Sequence, residues 1–287
     1  MKNDFYQTFV LPQAHVRGRL VRLMDVSSEI TQQHDYPRNV AGLLSEFTAG
    51  AVALATLLKY EGIFTLQTRT KGPLNLSVVD VTSQGNVRGY VQYDEERIEK
   101  AKEFQDMMGQ GQIAFTVDQG VNLDRYQGIV PLEKATLAQC LEEYFRQSEQ
   151  LETRLIIQSH GSQENEWKAV ALLLQQLPTS ATEETDEDTW PHIDAILKTL
   201  RTEETFDFSL APEEFLYRLF NEFDLEVYEP QPLKAQCRCS KERIKDFLAS
   251  LSPQEIEECL ENGVLNMTCE FCNQHYTFKR NEILKIH

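Results

Sequence analysis

The sequence predicts an α+β protein in three parts: an N-terminal mixed sheet with flanking helices, a helical acidic middle section and a small C-terminal domain. Three observations support this fold class. Strand-like and helix-like apolar patterns alternate through residues 1–178, negative charge is concentrated in residues 179–231, and four cysteines stand in two close pairs in residues 232–287. The chain of 287 residues is long enough for two to three domains of ordinary size.

The N-terminal part contains short apolar segments typical of β-strands, many of them separated by turns that contain glycine. Three consecutive segments predict a meander, and two later ones predict a closing strand pair. The predicted strands are 16–23, 63–68, 74–81, 87–93, 113–117, 128–130, 155–158 and 167–175. We expect these strands to form a sheet.

Two helices are expected to flank this sheet. Residues 39–60 are rich in alanine, leucine, valine and threonine with few charges, which predicts a mostly buried helix that ends near Gly62. Residues 131–147 carry apolar side chains at helical spacing and predict an amphipathic helix. Cys140 lies on its apolar face, so we expect this thiol to be buried as a small hydrophobic side chain.

Most of the negative charge of the chain lies in the middle section. Residues 179–230 contain 3 basic and 15 acidic residues, a net charge of −12, whereas residues 1–178 carry −5 and residues 231–287 carry no net charge. A run rich in threonine and acidic residues, 179–189, marks the start of this section, and Pro230 and Pro232 mark its end.

The same section is rich in aromatic residues and contains five of the fifteen phenylalanines of the chain. Ile193, Ile196, Leu197 and Leu200 indicate one amphipathic helix, and Pro212 begins a second. Helices this acidic are held by packing of their apolar faces, because isolated short helices are marginal in water. The section is therefore either an ordinary docked connector or a conditionally folded segment whose docking can be switched.

The overall charge of −17 argues against two classes of partner. Nucleic-acid binding and binding to anionic membranes both depend on clustered cationic side chains, so we expect neither. No run approaches 18 apolar residues, and the first seven residues have no signal-peptide pattern, so we expect a cytoplasmic protein. In that compartment thiols stay reduced, and six cysteines indicate metal binding or redox chemistry rather than structural disulfides.

The strongest pattern is a pair of cysteine motifs, Cys237-x-Cys239 and Cys269-x-x-Cys272. Four thiolates match the tetrahedral preference of zinc, so we predict one Zn²⁺ per chain. Such a site can be permanently structural. It can also be redox-active, since zinc keeps thiolates deprotonated and the CxC pair places two of them where oxidation can join them after metal loss.

The chain between the two motifs predicts a compact support for the metal. Ser240 is placed to cap a helix over 241–251, Ser252 begins a second helix with a capping-box pattern, and Gly263 ends it. Residues 268–278 predict a hairpin whose turn carries the second motif. A domain this small has little core, so zinc is expected to contribute about 10 kcal/mol or more to its folding.

The remaining cysteine and histidines have simpler interpretations. We expect Cys259, which lies in the segment 255–260, to be packed against the rest of the domain, and His275 to be a surface residue or a neighbour of the metal ligands. The other histidines that we considered have no metal-binding spacing: His15, His34, His160 and His192. The motifs of dinucleotide, nucleotide and protease sites are absent, as is the strand–helix context of a thioredoxin CxxC, so we predict no enzymatic activity.

Taken together, these residues resemble the bacterial redox-regulated zinc-binding holdases, the 33 kDa heat-shock chaperonin family. The resemblance covers nearly the whole chain. Besides the cysteine pattern and Ser240, it is carried by the segments 72–76, 87–89, 126–133 and 148–155, which read GPLNL, VRG, YQGIVPLE and SEQLETRL.

The resemblance implies a mechanism. Oxidation under unfolding stress would form the disulfides Cys237–Cys239 and Cys269–Cys272 and release zinc. Residues 232–287 would act as the redox sensor, 179–231 as a metastable switch, and 1–178 as the core that binds clients and dimerises. The implied partners are unfolding client proteins, a second copy of the chain in the active form, and ATP-dependent foldases that receive the clients.

Two other classes of function compete with this one. A zinc-ribbon regulator of transcription or translation would need a basic surface near the cysteines, where five cationic residues do cluster: Lys234, Arg238, Lys241, Arg243 and Lys245. Neighbouring acids such as Glu242 and Asp246 balance that patch. A thiol oxidoreductase would need one exposed cysteine of low pKa, whereas metal-held thiolates are occupied.

Overall fold

The computed structural model describes residues 3–118, 126–164, 166–178 and 188–283. The predicted start of the middle section, 179–187, lies outside the described residues. Contacts divide the chain into two compact units, Met1–Ala235 and Gln236–His287. Within the described ranges, the helices are too short or too polar to cross a membrane.

Two six-stranded sheets form the framework of the first unit. The first sheet contains β1 (Phe5–Leu11), β2 (Val16–Leu23), β8 (Thr153–Gly161), β9 (Trp167–Gln176), β10 (Glu226–Val227) and β11 (Gln231–Pro232). Its order is β10-β1-β2-β9-β8, with β11 also paired to β1, and all these pairings are antiparallel. The predicted closing pair is confirmed as β8 and β9, and it closes the first sheet.

The second sheet contains the predicted meander. Its strands are β3 (Ile63–Thr70), β4 (Leu74–Thr82), β5 (Asn86–Tyr93), β6 (Gly111–Asp118), β7 (Tyr126–Pro131) and β12 (Lys234–Ala235). The order is β12-β5-β4-β3-β6-β7, with a parallel pairing between β12 and β5. The α+β class is thus confirmed, and the expected strands are divided between two sheets.

The helices of the first unit differ greatly in length. They are α1 (Asp25–Thr31), α2 (Arg38–Ala55), α3 (Glu95–Ile98), α4 (Phe104–Met108), α5 (Leu137–Tyr144), α6 (Thr189–Thr199), α7 (Thr202–Thr205) and α8 (Pro212–Phe220). The prediction of a helix over 131–147 was wrong at its start. Pro131 ends β7, and the Thr136 side chain accepts a hydrogen bond from the Gln139 amide, so that the helix begins at Leu137.

The long helix α2 packs against both sheets. Fifteen of its eighteen residues are buried, and they join side chains of both sheets in one apolar cluster. This position explains the sparse charge of the predicted 39–60 segment, because a helix with no solvent face cannot carry many charges. The prediction of a mostly buried helix is therefore confirmed, with an end at Ala55 rather than near Gly62.

The other face of the first sheet is covered by the middle section. Strand β9 shows both contacts: Ala169, Ala171 and Leu173 belong to the cluster around α2, whereas Val170, Leu172 and Leu174 pack with α6 and α8. We call the described residues 188–231 of the middle section the cover. The two amphipathic helices predicted there are confirmed as α6 and α8.

Close approach of the cover depends on a glycine in β2. Gly18 pairs with Phe9 across the strands, and a Cβ atom at residue 18 would lie 2.0 Å from the Phe9 ring. The ring of Phe9 is therefore free to lie flat against the sheet and to stack on Phe220 of α8, with ring centroids 5.6 Å apart.

Candidate metal centre

The second unit is small and brings both cysteine motifs to one end of a hairpin. Its elements are α9 (Lys241–Leu248), α10 (Pro253–Cys259), β13 (Val264–Thr268), β14 (His275–Lys279) and α11 (Arg280–Ile283). Among the described residues of this unit, five apolar side chains form a buried core: Leu248, Ile256, Leu265, Phe278 and Ile283. Helix α9 ends three residues earlier than predicted, and the hairpin begins four residues earlier.

The loop between β13 and β14 presents the second motif. The Cys269 amide donates to the Gln274 carbonyl at 3.0 Å, and the Asn273 amide donates to the Cys269 carbonyl at 2.8 Å. Asn273 has a φ of 53°, a left-handed conformation that asparagine tolerates better than most residues. The backbone therefore folds tightly around Cys269 and Cys272.

The first motif precedes α9 directly. Ser240 caps this helix, as predicted, because its hydroxyl accepts the Arg243 amide at 3.2 Å. The Arg243 side chain also donates to the Arg238 carbonyl at 3.0 Å. These contacts fix the backbone on either side of Cys239.

The four Sγ atoms of Cys237, Cys239, Cys269 and Cys272 lie within 4.8 Å of one another, and we call them the four-cysteine cluster. The Cys237–Cys269 and Cys239–Cys272 sulfur distances are 3.6 and 3.3 Å. Four sulfurs bound tetrahedrally at 2.3 Å to one ion would lie about 3.8 Å apart. The structure thus brings all four predicted ligands together in an arrangement that can hold a metal ion.

The thiols of the cluster differ in acidity. Burial raises the pKa of the Cys269 and Cys272 thiols. For Cys237 burial acts in the same direction, but hydrogen bonds from the Cys239 amide and from the neighbouring thiols outweigh it and lower the pKa to about 7. A bound cation would favour the thiolate form of all four, since metal binding displaces thiol protons.

A hydroxyl group that the sequence analysis did not single out also contacts the cluster. The Tyr276 hydroxyl donates to Cys239 Sγ at 3.1 Å, and its ring is half-buried beside the core of the second unit. The signal was available in the sequence, because strand alternation places Tyr276 on the same face as the buried Phe278.

The other predicted residues have mixed outcomes. Cys140 is buried, as expected, and burial raises the pKa of its thiol. The expectation for Cys259 was wrong: it is exposed, because α10 is two turns long and turns the side of Ile256, not of Cys259, toward the buried core. His275 is exposed, as expected, and its Nδ1 lies 2.8 Å from the Thr268 hydroxyl. Among the described residues, the four-cysteine cluster is the one group with the geometry of a metal site.

The basic residues near the cluster are partly committed to the second unit itself. Lys241 lies 3.3 Å from a Glu282 oxygen and 5.3 Å from the centroid of the Phe278 ring. Arg243 donates to the Arg238 carbonyl. These contacts reduce the cationic surface that a regulator of nucleic acids would require.

Comparisons with known proteins point to one family. A family model described as Hsp33 protein matches residues 4–279. The chain is 37% identical over 284 residues to the 33 kDa chaperonin of Caulobacter vibrioides, covering 96% of this chain and 94% of that relative. It is 38% identical over 288 residues to the 33 kDa chaperonin of Pseudomonas aeruginosa, covering 99% and 94%.

A solved structure has the same fold. The crystal structure of the 33 kDa chaperonin of Thermotoga maritima, a heat shock protein 33 homologue, aligns with a TM-score of 0.84. The alignment covers 99% of this chain and 97% of that one at 24% sequence identity. At this identity the match establishes the fold.

Proposed function

Because the chain belongs to the Hsp33 family, we propose that it is a redox-regulated, ATP-independent holdase chaperone and not an enzyme. One observation supports this proposal most strongly. An apolar face of the first sheet, with Phe9, Leu20 and Leu172, is buried beneath an acidic cover. Removal of that cover would expose a continuous apolar surface, the kind of surface that binds unfolding proteins.

We propose zinc as the ion of the four-cysteine cluster, one per chain. An all-thiolate set of four is typical of closed structural zinc sites, and the measured sulfur separations are compatible with it. Bound zinc would supply the charge that keeps the four sulfurs deprotonated and would fix the hairpin loop to the segment before α9.

Oxidation of these thiolates is the proposed trigger. Two molecules of hydrogen peroxide and four protons would convert four thiolates into two disulfides and four water molecules, and each pair of thiolates would give up two electrons to one peroxide. By family resemblance the disulfides are Cys237–Cys239 and Cys269–Cys272. A disulfide sulfur is a poor metal ligand, so the second unit would lose its main support and keep a small apolar core, with five buried side chains in the part of the unit that the structure describes.

We propose that this loss of order spreads along the chain into the cover, which precedes the second unit directly. The net charge of −12 in residues 179–230 favours release of the cover, since like charges separate on undocking. In this proposal residues 1–178 bind clients and dimerise, 179–231 act as the metastable switch, and 232–287 act as the redox sensor.

The proposed setting follows from the same chemistry. A reducing cytoplasm keeps the thiols available for zinc until oxidative stress occurs. The active form would be a homodimer, and held clients would pass to ATP-dependent foldases. The names of the curated relatives support a chaperone over the zinc-ribbon regulator and the thiol oxidoreductase.

Zinc release and chaperone activity should be measured in the same samples. Peroxide at raised temperature should release about one zinc per chain to a chelating dye, and light scattering of an unfolding client should fall in step. Dithiothreitol should reverse both effects. Cys259→Ser, which alters an exposed thiol outside the cluster, should behave like the parent. Retention of zinc, or its release without suppression of aggregation, would contradict the proposal.

A further inference from the structure

A cavity of about 260 Å³ lies where the cover meets the first sheet, and we call it the sheet–cover cavity. Its lining contains two charged side chains, Arg22 of β2 and Glu213 of α8. Most of the remaining wall is apolar and is formed by Phe5, Phe208, Leu210, Pro212, Pro230 and Pro232. Apolar walls with a few convergent polar groups are typical of sites that bind small molecules.

The guanidinium of Arg22 presents an unpaired edge at this cavity. Arg22 is only 2% exposed, and its Nη1 donates to the Leu210 carbonyl at 2.8 Å. Among the described residues, its Nε and Nη2 have no hydrogen-bond partner. These two nitrogens form the edge of the guanidinium plane whose parallel N–H bonds match the two oxygens of a carboxylate. The half-buried Phe208 ring lies beside them in the irregular chain between α7 and α8, where a small movement of the ring admits a ligand.

The second charged group of the cavity has the opposite sign. Gln7 Nε2 donates to Oε1 of Glu213 at 2.8 Å, and this contact holds the carboxylate at the wall. A ligand that carried only a carboxylate would be repelled by Glu213, and one that carried only an amine would be repelled by Arg22. A zwitterion places its carboxylate against Arg22 and its ammonium group against Glu213, so it satisfies both charges.

We propose that the sheet–cover cavity binds a free α-amino acid with an apolar side chain of about the size of phenylalanine. Its carboxylate would pair with Nε and Nη2 of Arg22, its ammonium group with Glu213, and its side chain would pack on the apolar wall. Binding does not depend on the proposed function, whereas the effect on activation described next rests on it.

The two sides of the cavity belong to elements that separate when the cover is released. Phe5 and Arg22 are on the first sheet, whereas Phe208 and Glu213 belong to the cover. The complete site therefore exists only while the cover is docked. A ligand that binds the docked state alone stabilises that state, so the amino acid should oppose release of the cover after oxidation.

Isothermal titration calorimetry on the reduced, zinc-loaded full-length protein tests the site. We expect L-phenylalanine to bind with a dissociation constant below about 1 mM. The analogues 3-phenylpropanoate, which lacks the ammonium group, and 2-phenylethylamine, which lacks the carboxylate, should each bind about tenfold more weakly. No binding of phenylalanine, or equally tight binding of either analogue, would overturn the inference.

Matched variants locate the binding. Arg22→Met and Glu213→Gln should each weaken binding of phenylalanine about tenfold. Arg19→Met and Glu214→Gln are the controls and should bind as the parent does, because Arg19 donates to the chain after α2 and Glu214 lies outside the cavity lining. Unchanged binding by Arg22→Met and Glu213→Gln would place the ligand elsewhere and overturn the inference.

The effect on activation is measured as the half-time at fixed peroxide, read from light scattering of an unfolding client. Phenylalanine at ten times its dissociation constant should lengthen this half-time about tenfold in the parent and have a much smaller effect in Arg22→Met. Tight binding with an unchanged half-time would overturn the claim that the ligand holds the cover. A parent that gains no activity under peroxide would contradict the proposed function, whereas the calorimetric results would still support the site.

Discussion

Both faces of the first sheet carry buried apolar side chains, yet they are covered in different ways. On one face lies α2, which is buried along its length between both sheets. On the other lies the cover, in which the helices α6, α7 and α8 and two very short strands alternate with irregular chain, and its acidic residues are mostly exposed. Both faces are therefore buried, but the contacts that bury them differ in kind, and the two covers need not be equally stable.

On the α2 side of the first sheet, the buried hydroxyl groups of Ser27, Ser45 and Thr48 have hydrogen-bond partners. The Ser27 hydroxyl donates to the Ser45 hydroxyl at 2.9 Å, Ser45 donates to the Ala41 carbonyl at 2.8 Å, and Thr48 donates to the Leu44 carbonyl at 2.7 Å. These hydroxyls therefore add little desolvation cost to the buried helix.

The cover side leaves several buried polar atoms unpaired. Within the described residues, Gln7 Oε1, Arg22 Nε and Nη2, and Trp190 Nε1 have no hydrogen-bond partner. The Arg22 guanidinium lies beneath the rings of Phe208 and Phe215 and donates to the Leu210 carbonyl through Nη1. Each unpaired buried group destabilises the docked state by about 1–3 kcal/mol, because undocking would let water form the missing hydrogen bond. The cover is thus docked through apolar contacts, and the unpaired polar atoms beneath it lower the cost of the undocking that the proposed function requires.

Phe220→Ala is the change with the largest expected effect on this comparison. Phe220 is fully buried against Phe9, and its truncation should weaken docking of the cover by about 3 kcal/mol. The reduced, zinc-loaded variant should then suppress aggregation of an unfolding client without any oxidant, as measured by light scattering. Tyr217→Ala alters an exposed ring on the same helix and is the control.

The equivalent truncation on the other face should act differently. Phe47 of α2 is fully buried between the sheets. Phe47→Ala should lower the free energy of unfolding of the whole first unit and should not yield a folded, active protein. If Phe220→Ala required oxidation as the parent does, or if both variants unfolded alike, the distinction between the two covers would be wrong.

A second prediction concerns how the free energy of unfolding depends on pH through Glu46, a residue of α2. Burial raises the pKa of Glu46 from 4.5 to about 7, with a smaller opposing effect from the Ser159 hydroxyl. The protonated form favours folding, so its contribution is fully present below pH 4.5 and is lost as the pH rises through 7. Glu46→Gln should therefore raise the free energy of unfolding at pH 8 by about 2 kcal/mol.

Urea unfolding followed by tryptophan fluorescence measures this effect. At pH 4.5 the variant and the parent should converge. An equal difference at both pH values would show that the carboxyl group does not titrate in the folded protein.

Two arginines on β2, Arg22 buried and Arg19 half-buried, allow a matched test of the comparison. Burial lowers the pKa of both Arg19 and Arg22 to about 10, but Arg19 donates to the Thr56 carbonyl after α2, whereas Arg22 lies under the cover. Arg22→Met removes a buried charge with two unpaired nitrogens and should strengthen docking by about 1–2 kcal/mol. Activation by peroxide should then be slower.

Arg19→Met is expected to change the stability of the first unit and to leave the half-time of activation unaltered. That half-time is read from client light scattering at fixed peroxide. Faster activation of Arg22→Met would mean that its stacking on the two rings outweighs the cost of the buried charge.

The smallest expected effect is at the edge of the cover. Arg154 of β8 lies 2.6 Å from Asp194 and 5.6 Å from the centroid of the Trp190 ring. Arg154→Met should weaken docking by about 1 kcal/mol, because the pair is partly solvent-screened. Dye binding to exposed apolar surface should begin at lower temperature than in the parent or in Arg146→Met, whose guanidinium pairs with Glu143 away from the cover. Identical onset temperatures would show that this ion pair does not stabilise the docked cover.

Local patterns were sufficient to predict that the four cysteines come together, that Ser240 caps a helix, and that 63–68, 74–81 and 87–93 are strands. Each of these depends on residues close together in the sequence. The unbroken apolar run of β9 also contained the information that both its faces are covered, because a strand with one solvent face alternates.

Features that depend on distant residues were not predicted. Strand β1 is followed in the sequence by Pro12-Gln13-Ala14, which is not a typical hairpin turn, and it forms by pairing with β2, β10 and β11. The division into two sheets depends on α2 packing between them. The unpaired nitrogens of Arg22 and the contact of Tyr276 with Cys239 exist because the fold brings together residues 37 or more positions apart.

Hydrogen exchange measured by mass spectrometry on the full-length protein tests the central claim most directly. Peptides from α6 and α8 are compared with peptides from α2, first in the reduced zinc-loaded state and then after peroxide. The account predicts that α6 and α8 lose protection on oxidation while α2 keeps it. Aggregation suppression with α6 and α8 still protected, or equal loss of protection in α2, would contradict it.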